Sequence, residues 1–546
     1  MMSGSEPTRL QPSAHVDTFC RDHLPPADQW PELVFDLPEL RYPARLNCAV
    51  ELLDRVAERF GAERTCLITP DGGRWTYGDL VRRSNQIART LVQDRGIVPG
   101  NRVLLRGPNN PWMVACFFGV IKAGAVAVAT MPLLRPGELA TVADITRPDL
   151  ALCDHRFLTD LVAAGTGVPT VAFGGTADDD LTAAVAAKPD DFDAVLTSAD
   201  DVVLLALTSG TTGRPKATMH FHRDILAIAD TFSAHVLRPS ADDVFTGTPP
   251  LAFTFGLGGL VVFPLRAGAA SLLVEKASPD ELADLIAEHN VSICFTAPTG
   301  YRAMLAADRA ASLRSLRRAV SAGEHLPEAT WRAFAEATGV ALIDGIGSTE
   351  MLHIFVSAAD ADIRPGATGL PVPGYQAAIL DAEGHPVASG TLGRLAVKGP
   401  TGCRYLDDPR QRDYVQGGWN ITGDTFLQDA DGYFIYQARN DDMIISAGYN
   451  IAGPEIEEAL LTHSDVVECC VVGVPDEAKG QIVKAFVVVR ETAVGDEAKG
   501  QELIVYARTR IAPYKCPRVV EFVTALPRTS TGKVQRYVLR NRGTGP

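Results

Sequence analysis

Apolar residues recur with a helical period in several long stretches of the chain, and between these stretches they gather into short unbroken runs. Val50, Leu52, Leu53 and Val56 have the spacing of a helix over Asn47–Phe60 that ends near Gly61. A second helix is predicted over Thr76–Leu91 with Thr76 as its cap, and a third over Asn110–Ala123. Arg102–Leu105 and Ala125–Thr130 read as buried strands. Strand and helix alternate in this way through Asp201, and again over 202–345. Such alternation predicts βαβ units and mostly parallel sheets. Leu370–Gly399 changes character, with short alternating strands and Gly and Pro turns. Residues 1–45 carry clustered Pro and Asp and little periodicity, so an irregular arm is expected there.

A break falls near residue 440. Beyond it the pattern predicts a small α+β unit: a helix over Pro454–Leu461 opened by its proline, strands at Val466–Val474 and Val483–Val489, a helix over Glu497–Ile511 and a strand at Val519–Val523. The expected fold is therefore α/β. A large N-terminal domain, 1–440, is built of βαβ sheets with a β-rich subdomain, and a small α+β domain occupies 441–546.

Charge narrows the function classes. Against 51 Lys and Arg stand 66 Asp and Glu, a formal charge of −15. That acidity argues against nucleic acid or a membrane surface as partner, since both need a basic face. The first nineteen residues hold no apolar core of the kind a signal peptide needs. Trp112–Ala129 is apolar but interrupted by Lys122 and several glycines, which fits a buried helix and strand rather than a membrane span. The ten cysteines are irregularly spaced and include no CxxC, so reduced, buried thiols in a cytoplasmic protein are expected.

The segment with the clearest chemistry is Leu207–Lys216, LTSGTTGRPK, which follows the apolar run Val202–Leu207. Hydroxyls, glycines and backbone N–H groups crowded in one turn can wrap an anionic group, and Lys216 adds a positive charge. It is not a Walker A loop, because Arg and Pro follow Gly213.

This string resembles the phosphate-binding loop of the adenylate-forming superfamily, which includes acyl- and aryl-CoA ligases, adenylation domains and luciferases. Further segments resemble that family's motifs in the same order: SAGE ending at Glu324, GIGSTE over Gly345–Glu350, ITGD ending at Asp424, the hinge region opened by Arg439, and TSTGKVQR over Thr529–Arg536. The resemblance covers about residues 45–540 and implies a two-step reaction. A carboxylic acid attacks the α-phosphate of ATP and releases pyrophosphate; the acyl group then passes to a thiol such as that of CoA. Catalysis of the first step is mainly positioning and neutralisation of charge.

The resemblance also implies roles. Thr208, Ser209, Gly210, Thr211, Thr212, Gly213 and Lys216 would hold the β- and γ-phosphates. Thr349 would contact the α-phosphate. Glu350, with Thr208, would bind Mg²⁺, a hard cation that takes oxygen ligands. Gly323, Glu324, Asp344, Gly345, Ile346, Gly347, Ser348 and Phe434 would complete the nucleotide site, and Asp424 and Arg439 would hold the ribose. Lys533 would bridge carboxylate and α-phosphate in the first half-reaction. The small domain would be mobile, swinging about a hinge at Asp441, and Gly448 would line the tunnel for the pantetheine arm of CoA.

The acid pocket is expected from the segment near Pro249–Gly259, the SAGE turn and the GIGSTE region, with Phe253, Phe255, Gly256, Ala322 and His353 as candidates. His353 is singled out because it follows Glu350 at helical spacing; His220, His222 and His325 are further acceptors for an amine. These segments are rich in Phe, Leu, Gly and Ala, which suits a flat apolar ring. GSTEMLHIF with FTFGLGG resembles benzoate-type aryl-CoA ligases, and SAHVDTFCRDHLPPADQWPEL resembles the 2-aminobenzoate (anthranilate) members. The expected partners are an aromatic acid, ATP and CoA, with a homodimer left open. Benzoate and hydroxybenzoates are alternative acids, and a carrier protein is an alternative acceptor. A non-catalytic scaffold is disfavoured because Lys533, Glu350 and the phosphate loop are all present.

Overall fold

The computed structural model describes residues 10–208, 215–439, 442–446, 449–476, 480–529 and 533–542, with the side chains of 449, 450 and 480 excluded. Two large sheets lie in the N-terminal part. In the six-stranded sheet the order is Thr170–Phe173, Leu150–Asp154, Arg102–Arg106, Val126–Thr130, Val202–Thr208 and Lys216–Phe221. All neighbours are parallel except the last pair, which is an antiparallel hairpin. The nine-stranded sheet takes its five parallel neighbours from Thr65–Ile68, Ala270–Leu272, Val244–Gly247, Ile293–Thr296, Arg318–Ala322 and Leu342–Gly347.

The grouping differs from the one the sequence suggests. Residue 202 begins no second run: Val202–Thr208 pairs with Val126–Thr130 through Ala127 and Leu204 and completes the first sheet. The early hairpin of Thr65–Ile68 and Arg74–Thr76 crosses over to edge the second. Apolar runs buried on both faces carry no mark of which sheet they will join.

Local signals act more directly. The helix Tyr77–Arg95 begins at a capping box: the Thr76 hydroxyl accepts from the Asp79 N–H, and the Asp79 carboxylate accepts from the Thr76 N–H. It ends at Gly96 in the left-handed region, φ 67°, where a glycine costs least. Asn110 caps the helix Pro111–Lys122 by accepting from the Met113 N–H. This helix and the strand after it are buried, and no helix among the described residues is long and apolar enough to cross a membrane. The irregular arm packs against the body, with the Ala14 N–H donating to Asp201 and the Gln11 N–H to Asp200.

A five-stranded sheet follows, built of Gln376–Leu380, Gly393–Lys398, Trp419–Gln428, Val415–Gln416 and Phe434–Arg439. The C-terminal part has a three-stranded sheet of Val466–Asp476, Gly480–Val489 and Val519–Phe522, flanked by helices Gly453–Leu461, Glu497–Arg508 and Arg536–Arg542. The helix expected to reach Ile511 stops at Arg508, where the N–H groups of Thr509 and Arg510 reach back only three residues, to the Tyr506 and Ala507 carbonyls. All ten cysteines are unpaired; nine are buried and Cys469 is half-buried.

Candidate active site

The antiparallel hairpin Val202–Thr208/Lys216–Phe221 sets Thr208 opposite Lys216 at its open end. Ser209, Gly210, Thr211, Thr212 and Gly213 join these two ends and lie outside the described residues. Thr208 has a buried hydroxyl with no hydrogen-bond partner. An orphaned buried hydroxyl costs free energy unless something satisfies it, so its placement beside this loop is informative.

The next layer comes from the turn that follows the strand Leu342–Gly347. Glu350 is buried, and its carboxylate lies 3.8 Å from the Lys216 ammonium. Tyr405 stands between them: Lys216 Nζ donates to its phenol at 2.6 Å, and the phenol donates to Glu350 Oε1 at 2.5 Å. The Thr349 carbonyl shares a hydrogen bond with His220 Nε2 at 2.9 Å, and Ser348 Oγ lies 3.1 Å from the Tyr414 hydroxyl. Gly347 must be glycine here, because a Cβ would come within 2.6 Å of the His353 carbonyl oxygen. Ile346 is half-buried and packs on the main core.

Asp344, on the same strand, is half-buried, and burial pushes its carboxyl up to about 8 against hydrogen bonds from Gly345 and Thr368. A carboxyl raised by folding favours the folded state while it is protonated, and that advantage is lost as pH climbs from its unfolded value of about 3.9 towards the folded value of about 8. Asp344→Asn is therefore expected to gain thermal stability relative to the parent progressively between pH 4 and pH 8, with no further gain above. Melting curves of both proteins across that range check this; parallel curves would refute it.

Asp424 and Arg439 face each other across the strands Trp419–Gln428 and Phe434–Arg439, 3.3 Å apart. Phe434, expected at the nucleotide, is instead fully buried in the main core. The sequence alone does not show that the ring two residues on, Tyr436, is the one that neighbours Asp424, packing 5.3 Å from His325. Asp441 and Gly448 lie outside the described residues.

Lys533 reaches this group from the C-terminal part. A Cβ on Gly323, which sits at φ +90°, would stand 3.8 Å from Lys533 Cε. The Lys533 N–H donates to Thr529 Oγ1 and its carbonyl accepts from the Thr529 N–H. The side chain keeps an exposed face, yet its pKa is held below the usual lysine range, first by desolvation and then by Arg439; Asp424, Glu324 and Glu350 act the other way. Glu324 bonds to Arg528 at 3.2 Å, Arg528 to Glu468 at 2.8 Å, and Glu468 to Arg302 at 3.2 Å. Burial raises the Glu324 pKa, with Arg528 opposing.

An aromatic cluster forms around a residue three positions past Glu350. His353 is buried among Phe263, Phe232, Phe255 and Phe295, with ring centroids 4.6, 5.3, 5.7 and 6.4 Å away. Neither ring nitrogen makes a hydrogen bond of good geometry, and burial, opposed only by the Phe255 backbone, pushes the imidazole down to about 3, so it is neutral. The helical spacing from Glu350 is not realised. Leu352 adopts φ 69°, which breaks the turn, and His353 leads into the strand Ile354–Ser357. A Cβ at Gly258 would collide with the imidazole at 2.3 Å, and one at Gly256 with the Pro250 carbonyl at 2.2 Å. Ala322 is buried and Phe253 half-buried. The other histidines sit elsewhere: His222 accepts from the Cys48 N–H beside the N-terminal arm, His220 holds the Thr349 carbonyl, and His325 stacks on Tyr436.

Comparison with known proteins places this arrangement. The AMP-binding enzyme family matches residues 53–404, and the AMP-binding enzyme C-terminal domain matches residues 455–533. The chain belongs to this adenylate-forming family, in its benzoate-CoA ligase group, and is an AMP-forming acid–CoA ligase with ATP and CoA as substrates. It is 35% identical to the benzoate–CoA ligase of Thauera aromatica, over 92% of this chain and 97% of that one. Identity to the 3-hydroxybenzoate–CoA ligase of Aromatoleum sp. (strain CIB) is 33%, over 85% and 91%. Among solved structures, an anthranilate CoA ligase in complex with anthranoyl-AMP superposes with a TM-score of 0.88 at 35% identity, covering 93% of this chain and 99% of that one.

Proposed function

We propose that the protein adenylates an aromatic carboxylic acid, with 2-aminobenzoate as the preferred substrate, and transfers the aryl group to CoA. The observation that carries this reading is the neutral His353, three residues past Glu350 in the chain, set among four phenylalanine rings with no hydrogen bond of good geometry to either ring nitrogen. Aromatic walls suit a flat ring, and a neutral imidazole nitrogen can accept from an ortho amine. The benzoate and hydroxybenzoate specificities of the relatives and the anthranoyl-AMP complex of the structural neighbour support the same substrate class.

In this reading Lys216 and the phosphate loop hold the triphosphate, Thr349 meets the α-phosphate, and Asp424 and Arg439 hold the ribose, with Tyr436 rather than Phe434 beside the nucleoside. Glu350 and the orphaned hydroxyl of Thr208 fit a magnesium ion as oxygen donors. Magnesium, when bound, would neutralise phosphate charge. Lys533 approaches the carboxylate and α-phosphate; the acid oxygen forms a bond to the α-phosphorus as pyrophosphate leaves. The CoA sulfur then attacks the aryl carbonyl, AMP departs and the thiol proton is lost to solvent. The same reading takes residues 1–440 and 441–546 as the two domains and assigns the hinge to Asp441 and pantetheine binding to Gly448.

The test is a ligation screen with ATP, magnesium and CoA across 2-aminobenzoate, benzoate, the hydroxybenzoates and short fatty acids, reading pyrophosphate and aryl-CoA. The highest kcat/KM is expected for 2-aminobenzoate. Loss of one hydrogen bond is worth about 1 kcal/mol, or about fivefold. His353→Leu should therefore cut kcat/KM for 2-aminobenzoate about fivefold more than that for benzoate. An equal fall for both acids would remove His353 from recognition of the amine.

A further inference from the structure

We propose that Tyr405 is a positioning residue that keeps Lys216 and Glu350 from neutralising one another, so that both stay available to magnesium–ATP. The proposal rests on reading Lys216 as a phosphate-binding group and Glu350 as a metal-binding group.

Tyr405 lies on the segment between the strands Gly393–Lys398 and Trp419–Gln428 of the five-stranded sheet, far in sequence from both partners. It is almost wholly buried, at 1% exposure. Its N–H donates to Gln411 Oε1 at 2.9 Å, its backbone bridges to Thr218 on the strand carrying Lys216, and its ring packs edge-on against Tyr414 at 5.8 Å. The phenol is thus fixed from three sides. The Lys216 ammonium lies 4.2 Å from the centre of its ring and also donates to its oxygen.

A lysine and a glutamate in so sheltered a site attract each other strongly, because little water screens them. Left alone they would close to a direct ion pair near 2.8 Å, about the length of a charge-assisted hydrogen bond. Here they are held at 3.8 Å, beyond hydrogen-bonding distance, with the phenol accepting from one and donating to the other. A hydroxyl can serve both because it is donor and acceptor at once. Each charge is satisfied through a neutral group that remains when nucleotide arrives, so neither must first be pulled from a contact partner. Phenylalanine would keep the ring and the packing but lose the bridge.

The experiment is calorimetric binding with the non-cleavable α,β-methylene analogue of ATP plus magnesium, alongside AMP, for the parent protein, Tyr405→Phe, Glu350→Gln and the double variant. Hydrogen bonds to charged groups are worth enough to shift a Kd by about tenfold or more. Tyr405→Phe is expected to weaken the magnesium–analogue complex by about tenfold while leaving the Kd for AMP within a factor of about two. AMP lacks the β- and γ-phosphates assigned to Lys216, so an equal loss for both ligands would mean that Tyr405 only supports the fold, and would overturn the proposal, as would an unchanged Kd for the analogue. In the Glu350→Gln background no collapsed ion pair can form, and Tyr405→Phe should cost little more. Additive losses would refute action through the pair. If Glu350→Gln and Lys216→Met both leave analogue binding unaltered, the assignment of those two residues fails, and the proposal falls with it for that separate reason.

Discussion

Lys533→Ala is expected to slow adenylate formation by about 10²–10³-fold, the usual cost of removing one preorganised group from a developing charge. Transfer of the aryl group from supplied aryl-AMP to CoA should stay within a few-fold of the parent rate. The asymmetry follows from where the side chain sits. Lys533 approaches Gly323 and feels the carboxylates of Asp424, Glu324 and Glu350, all on the N-terminal part. That docking serves the step in which two anions must meet, and the second step has no such need. Pyrophosphate release from ATP and acid measures the first reaction, and CoA-dependent AMP release from synthetic aryl-AMP the second. Equal losses in both would show that Lys533 supports the fold rather than one step. Its lowered pKa adds a sign: adenylation needs the ammonium, so its rate should decline on the alkaline side earlier than an ordinary lysine would allow.

Much of this site is legible because its chemistry is local. The turn glycines, the hydroxyl-rich loop ends and the Asp424/Arg439 pair can be read from short strings, and the cap at Thr76 falls where the sequence puts it. What the sequence hides is long-range. Tyr405 gains its meaning from partners 189 and 55 residues away, and nothing in its own neighbourhood marks it. Phe434 and Tyr436 share one face of a strand and both pack on the main core, and only their places along it make one ring fully buried and leave the other half-buried near Asp424. His353 has the periodicity of a helix, but the left-handed backbone at Leu352 redirects it into the aromatic cluster.

Asp224→Ala should be the most destabilising single change in this region, by about 3–5 kcal/mol, because it strands a buried arginine. Arg404 and Asp224 both have fully buried side chains and meet at 2.8 Å. The remaining guanidinium nitrogens of Arg404, Nε and Nη2, have no hydrogen-bond partner, while the group lies 4.0 Å from the Phe221 ring centre. With the carboxylate gone, the charge keeps only a 3.3 Å hydrogen bond to the Met219 carbonyl and the face of the Phe221 ring. Burial alone would raise the Asp224 pKa, but Arg404, His220 and Arg223 outweigh it and hold the carboxyl well below the usual range. A depressed folded value stabilises the protein above the unfolded value of about 3.9, and that contribution is lost as pH falls. The urea midpoint of Asp224→Asn should therefore lie well below that of the parent at pH 7, with the gap narrowing below about pH 4. A gap of unchanged size from about pH 4 down to about pH 2 would mean that lost packing, not charge, is responsible. The damage should also reach catalysis. The Arg404 carbonyl accepts from the Met219 N–H at 2.7 Å, and its neighbour is Tyr405, so loosening this pair frees the phenol that spaces Lys216 and Glu350. In a variant still folded at pH 7, the KM for ATP should rise more than the KM for the acid.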